Sequence, residues 1–280
     1  MKRESILTSS LLGLLGLTGL FAQGCGGPVS ALGGGGRAPV GVELILSSKS
    51  AEAASGATQA TETVTGFGTI KGKIVLTGGQ PTLAPLVAKG TSSDPICKVV
   101  EVPDQSIVAG PDGGLANVVV FLRKAPKMEI PAPPEEAVEV DQDGCKFLPH
   151  VSLVRVGQKL HMKNGDATPH NVQSPYFNDT IAPKDEKGLT FVPKNAESLP
   201  MPIACSIHAW MKGYVAVVNH PWAVVTGPDG TFEIKGVPAG EREFVVWHEK
   251  GTLERGLKIK VTPDGVTEVP VIQVAADKFK

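Results

Sequence analysis

Cys205-Ser206-Ile207-His208-Ala209-Trp210-Met211 places a thiol, an imidazole and a thioether on one short turn. Thiolate and thioether are soft ligands that suit Cu(I). Two His and one Cys in a trigonal plane, with a long axial Met, describe an electron-transfer copper site. The turn supplies three of those four ligands. The remaining His must come from elsewhere, and His170 is the candidate, in Lys163-Asn164-Gly165-Asp166-Ala167-Thr168-Pro169-His170-Asn171. Other chemistries fit less well. Zinc is a poor match to Met211, and no H-E-x-x-H helix is present. A Cys205/His208 nucleophile pair has no evident carboxylate to orient it.

Taken together, the two segments resemble the cupredoxin family of blue copper proteins, where the first His lies in K-N-x(4)-P-H-N and the other ligands in C-x2-H-x(2–4)-M. The two residues between His208 and Met211 are most like the amicyanins. Phe147-Leu148-Pro149, Val154-Arg155-Val156-Gly157 and Leu160-His161-Met162-Lys163-Asn164 follow the family's strand pattern. The resemblance implies one mononuclear type 1 copper held by His170, Cys205, His208 and Met211. It also implies that Asn171 braces the Cys205 turn, and that the region of His208 is an apolar face where partners dock. Trp210 is the candidate docking residue, with a buried core Trp as the alternative. The implied function is one-electron transfer between a donor and an acceptor redox protein, and not an enzymatic one. Multicopper oxidases place His residues beside the copper Cys, whereas Ala204 and Ser206 flank Cys205; a dinuclear copper centre needs a second nearby Cys. The competing class is a non-redox surface module with the same fold, carrying copper or metal-free. His150 is read as a strand-edge residue, the alternative being an approach to the metal, and His161 as outward-facing; His220 and His248 are read as ordinary core or surface histidines, the alternative being a second metal site.

A one-electron site needs ligands whose positions change little between oxidation states, so a rigid scaffold must hold these segments. Gly 33 and Pro 23, short Val/Ile-rich runs between turn signals, and the lack of long helical apolar periods predict an all-β protein. Lys+Arg 27 against Asp+Glu 28 gives a net charge of -1 and argues against a nucleic-acid surface. The part from about residue 136 to 220 is expected to form a cupredoxin-like Greek-key sandwich lacking the family's first strand, with Ser174 to Pro202 a long loop-rich stretch. Strands are expected at Gly68 to Leu76 and Asn117 to Leu122, with loop between them holding Cys97, and a Pro-rich boundary from Pro126 to Pro134.

The last part reads Thr226-Gly227-Pro228-Asp229-Gly230-Thr231-Phe232-Glu233-Ile234, then Val237-Pro238-Ala239-Gly240. Asp-Gly between apolar runs signals a hairpin. This text resembles the second half of the carboxypeptidase regulatory-like domain, an accessory Ig/transthyretin-like β-sandwich with no peptidase activity; pieces of its first half occur at Gly68 to Leu76 and Ala116 to Leu122. The expected arrangement has residues 66–135 and 221–280 as two halves of one sandwich, with the copper part inserted between them. A sequential arrangement is the alternative.

Lys2-Arg3, an apolar run from Ile6 to Ala22, and Ala22-Gln23-Gly24-Cys25 resemble a bacterial lipoprotein signal over residues 1–25, with Cys25 lipidated. Ala22 departs from the usual Leu, so plain secretory cleavage is the alternative; the run is too short and interrupted to span a membrane well. Residues 26–65, rich in Gly, Ser, Ala and Thr, read as a flexible linker. The expected location is the periplasm or cell envelope, on a membrane anchor. In an oxidising compartment the two remaining cysteines, Cys97 and Cys145, are most simply a disulfide, the alternative being free buried thiols.

Overall fold

The apolar runs Val118–Leu122, Val215–Val218 and Phe244–Trp247 have no polar face to offer water, so each strand must be covered on both sides. The computed structural model, which describes residues 64–279, covers them by stacking four sheets. The signal segment with Cys25, and all but the end of the linker, lie outside the described residues. The chain is nearly all-β.

Two strands come first, β1 (Phe67–Thr77) and β2 (Val119–Leu122). A middle segment supplies β3 (Val138–Gln142), β4 (Phe147–Leu148), β5 (Val151–Arg155), β6 (Leu160–Asn164), β7 (His170–Gln173), β8 (Asn178–Ile181), β9 (Asp185–Phe191), β10 (Met201–Ala204) and β11 (Lys212–Val218). The chain then closes with β12 (Ala223–Val225), β13 (Thr231–Pro238), β14 (Gly240–His248), β15 (Gly251–Val261), β16 (Val266–Glu268) and β17 (Ile272–Ala275).

Early and late strands pair with each other. One sheet runs β13-β1-β16 with β17 also on β1, and the next runs β12-β2-β14-β15. The middle segment forms its own two sheets, β5-β11-β10-β7-β8 and β4-β3-β6-β9. Among the described residues no ladder joins the two groups, so the middle segment is an insert between β2 and β12 of a sandwich built from both flanks.

Alternation along the central strands assigns each side chain to a layer. Val118, Val120, Leu122, Phe244 and Val246 face the flank sandwich core with Ile70, Ile74 and Phe232. Their neighbours Val119, Phe121, Val245 and Trp247 face the other way and pack on Val151, Ala216 and Val218 of the insert. Val215 and Val217, in turn, point into the insert's core with Val140, Phe147, Leu160, Met162 and Val172. One period-2 pattern thus serves two cores at once.

Several local expectations change. Ser174 to Pro202 holds β8 and β9 rather than loop alone; their polar, largely exposed residues give no apolar alternation to read. The insert opens on a strand that the sequence hid, β3, lying parallel to β6 behind a Pro- and Glu-rich run. Asp229-Gly230 is not a hairpin turn, because β12 pairs with β2 in one sheet and β13 with β1 in the other. It is a bend between layers, and Gly230 (φ 70) is required there: a Cβ would lie 2.2 Å from the Ile74 carbonyl oxygen.

The connection from β1 to β2 leaves its own sandwich. It is tied to itself by a Val87↔Val102 bridge and a 3-10 turn at Cys97–Val99. Cys97 is disulfide-bonded to Cys145 of the insert, Cα to Cα 5.7 Å. Val87, Val102 and the two cysteines form a small buried cluster against Trp210.

Candidate metal centre

Asn164, fully buried at the end of β6, organises the loop that delivers His170. Its Nδ2 donates to the carbonyls of Thr168 (2.9 Å), Ala182 (3.0 Å) and Ile181 (3.2 Å), and its Oδ1 accepts from the Asp166 N–H at 2.9 Å. His170 then starts β7. Strand β10 pairs with β7 through Ala204↔Gln173 and with β11 through Ala204↔Lys212, so the turn that follows Ala204 lies beside His170. Cys205 N donates to Met211 O at 3.1 Å and Met211 N to His208 O at 2.9 Å, which closes the turn.

The side chains converge. His170 Nδ1 is 2.9 Å from His208 Nδ1, and His208 Nδ1 is 4.0 Å from Cys205 Sγ. Imidazole nitrogens of His170 and His208 and the Cys205 sulfur all lie within 4.8 Å of one another and could hold a metal ion. Cys205 is a free, buried cysteine. Met211 is buried in the same core cluster as Cys205, at 1% exposure.

Asn171 ties the two segments together. Its backbone N–H donates to Cys205 Sγ at 3.3 Å, and its Oδ1 accepts from the Ser206 N–H at 3.3 Å. Its Nδ2 is anchored on Asn178 Oδ1 and Asp179 O in β8. The His208 N–H also donates to Cys205 Sγ at 3.3 Å.

Two carboxylates that the sequence gave no reason to single out face the far side of the rings. Asp166 Oδ2 is 2.9 Å from His170 Nε2 and also accepts the Cys145 N–H, while its Oδ1 accepts that of Gly144. Asp94 Oδ2, from the β1–β2 connection, is 3.5 Å from His208 Nε2 and accepts from Thr168 Oγ1 at 2.7 Å. Asp166 lies four residues before His170, but only the loop's fold turns it toward the ring. Asp94 sits in another sandwich and carries no local signal.

An ionised carboxylate only accepts, so His170 Nε2, 2.9 Å from Asp166, carries a hydrogen and its Nδ1 turns toward His208. The two Nδ1 atoms face each other at 2.9 Å, a separation that a proton on either one bridges, or that a metal ion bound by both nitrogens replaces. The electrostatics agree: burial pushes His170 down, but Asp166 and the Cys205 thiolate outweigh it and raise His170 to about 9. Burial and the neighbouring His170 charge lower His208, against the pull of Asp94. Burial raises the Cys205 thiol, yet His170 and the backbone N–H groups of Asn171 and His208 prevail and bring it below its ordinary value, which favours thiolate.

Other candidates fall elsewhere. Trp210, expected on an exposed docking face, is half-buried and donates its indole N–H to Cys145 O at 3.1 Å. His208 itself is 4% exposed. His150 pairs with Glu249 at 2.8 Å between insert and flank, away from the centre, with both side chains buried. His161 bonds Lys187 O, His220 bonds Leu122 O, and His248 is buried against Phe279.

The fold and this cluster define an all-β protein with a buried His, His, Cys donor set. No protein-family model matches the chain, and no curated protein matches it. Solved structures that are similar include a purple cupredoxin from Nitrosopumilus maritimus, 22% identical, covering 28% of this chain and 97% of its own, with a TM-score of 0.25. A mutant of amicyanin in the Cu(I) state is 24% identical over 29% of this chain and 81% of its own, TM-score 0.26. Amicyanin from Paracoccus versutus is 18% identical over 35% of this chain and 96% of its own, TM-score 0.26.

Proposed function

We propose that this is an exported, lipid-anchored copper protein that relays single electrons at the cell envelope between a donor and an acceptor redox protein, with no catalytic activity of its own. His170, Cys205, His208 and Met211 hold one type 1 copper. The observation that carries the reading is the pair of Nδ1 atoms facing each other at 2.9 Å beside a buried thiol, with His170 Nε2 held on Asp166 at 2.9 Å and His208 Nε2 facing Asp94 at 3.5 Å. Histidine tautomers set by outer carboxylates, with a soft sulfur alongside, suit copper. Bound there, copper supplies a one-electron couple. The chain's own residues keep the ligands still: Asn164 fixes the His170 loop, Asn171 locks it to the Cys205 turn, and the surrounding core excludes water. Copper binding competes with protons for the imidazole nitrogens and the Cys205 sulfur, so affinity falls as pH falls. For the flank sandwich we retain the regulatory-like resemblance as an accessory scaffold.

The test is the visible absorption of the full chain after adding Cu(II). An intense thiolate-to-copper band is expected, bleached by ascorbate, restored by oxidant and lost in Cys205→Ser. A folded wild-type chain without the band overturns the reading. Burial of His208 favours a second reading, a copper carrier without redox traffic; in that case the band forms but does not cycle.

A further inference from the structure

The cover over the centre belongs to a different sandwich from the one that builds it. His208 is buried by the β1–β2 connection, whose Asp94 reaches both His208 Nε2 (3.5 Å) and Thr168 Oγ1 (2.7 Å). The other Asp94 oxygen is held by the N–H groups of Ile96 (2.8 Å) and Cys97 (2.9 Å), so its aim depends on where Cys97 is pinned. Cys97 is pinned by the disulfide to Cys145. Cys145 in turn donates its N–H to Asp166, the carboxylate on His170, and accepts from Trp210. Cys97 Sγ lies within 4.8 Å of the donor atoms of Asp94 and His208, and together with Cys145 Sγ within the same distance of a His170 nitrogen.

Little else holds the cover down. Among the described residues no backbone hydrogen bond joins residues 78–116 to the insert, and the apolar contact is the small cluster of Val87, Val102 and the two cysteines against Trp210. A segment with so few buried contacts opens at low free energy unless it is cross-linked.

Resting on the copper reading, we propose that Asp94 is a positioning residue of the centre and that Cys97–Cys145 is the latch of a cover that retains the metal and excludes outside ligands. Reduction by a dithiol releases the latch. The dithiol loses two electrons and two protons to become a disulfide, and the Cys97–Cys145 S–S bond is replaced by two S–H bonds. Asp94 then loses its anchor, and His208 Nε2 meets solvent.

The experiment loads the full chain with Cu(I) and follows its removal by excess bathocuproine disulfonate. Removal is expected to be about tenfold faster or more in Cys97→Ala/Cys145→Ala than in the wild-type chain. Asp94→Ala and Thr168→Val, which keep the disulfide, should also speed removal, and they decide the matter if the double variant does not fold. Asp94→Asn should raise the midpoint potential, because losing a negative charge near the ion favours the less positive state, and Asp94→Glu should restore it. A structural role alone would leave the potential unchanged. Removal rates and potentials equal to wild type in folded variants overturn the proposal. Failure of the copper reading shows separately, as a wild-type chain with no copper-dependent band.

Discussion

Asp166 shows how much of the proposed copper centre lies one residue beyond its proposed ligands. The carboxylate fixes the His170 ring by its Nε2 and is itself seated on the Gly144 and Cys145 N–H groups. Removing such outer partners costs about 10–100-fold in metal affinity. Asp166→Asn is therefore expected to weaken copper by that order, as read by competition with a chelator of known affinity, while the circular dichroism spectrum stays as in wild type. A different residue contributes to acid stability. Burial holds His248 at about 4, helped by His150 and Lys250 and opposed by Glu249. That lies below its ordinary 6.5, so the unfolded chain takes up the proton first. The contribution is intact above about pH 6.5 and is lost as pH falls toward 4, on the order of 3 kcal/mol in all. Urea midpoints measured across that window should fall in the wild-type chain and fall less in His248→Gln.

At the scale of elements, the two-faced strands decide the architecture. Across the β2–β14 ladder Phe121 pairs with Val245 and Phe244 with Leu122, so the two phenylalanines sit one step apart and serve different cores, Phe121 toward the insert and Phe244 toward the flank sandwich. Both Phe→Ala changes should cost about 3–5 kcal/mol, because each leaves a cavity in a filled layer. Were the flank sandwich to stand alone, Phe121 would face water and its loss would cost little; a cost below about 1 kcal/mol in denaturant unfolding would contradict the shared layer. The runs around β2, β11 and β14 were legible as strands because every residue in them is apolar. Strands β8 and β9 were not, because these edge strands carry largely exposed residues; β3 does alternate, Val140 and Gln142 turning inward, but its buried positions mix Val with Gln directly after a Pro- and Glu-rich run. Asp229-Gly230 was read as a hairpin and is instead a bend between layers, because a turn's chemistry does not state which sheet receives the next strand.

For the whole molecule, insertion makes each sandwich depend on the other. Excised from the chain, the insert would expose Val151, Ala216 and Val218 as one apolar face. Residues 137–220 expressed alone are expected to associate, seen as a larger species in size-exclusion chromatography, whereas residues 64–280 run as a single folded species. The sequence by itself determined the all-β class, the donor types and their two segments, since thiolate, imidazole and thioether chemistry is a property of residue type, and short apolar runs cannot form anything but strands here. The place of Asn171 as a brace between the two segments came from the family resemblance. Only the tertiary structure decided that His208 is closed over, that Trp210 is turned inward onto Cys145, and that Asp166 and Asp94 stand behind the rings. Those facts depend on contacts between residues far apart in the chain, above all on a loop of one sandwich crossing to the other, and no local pattern encodes such a crossing.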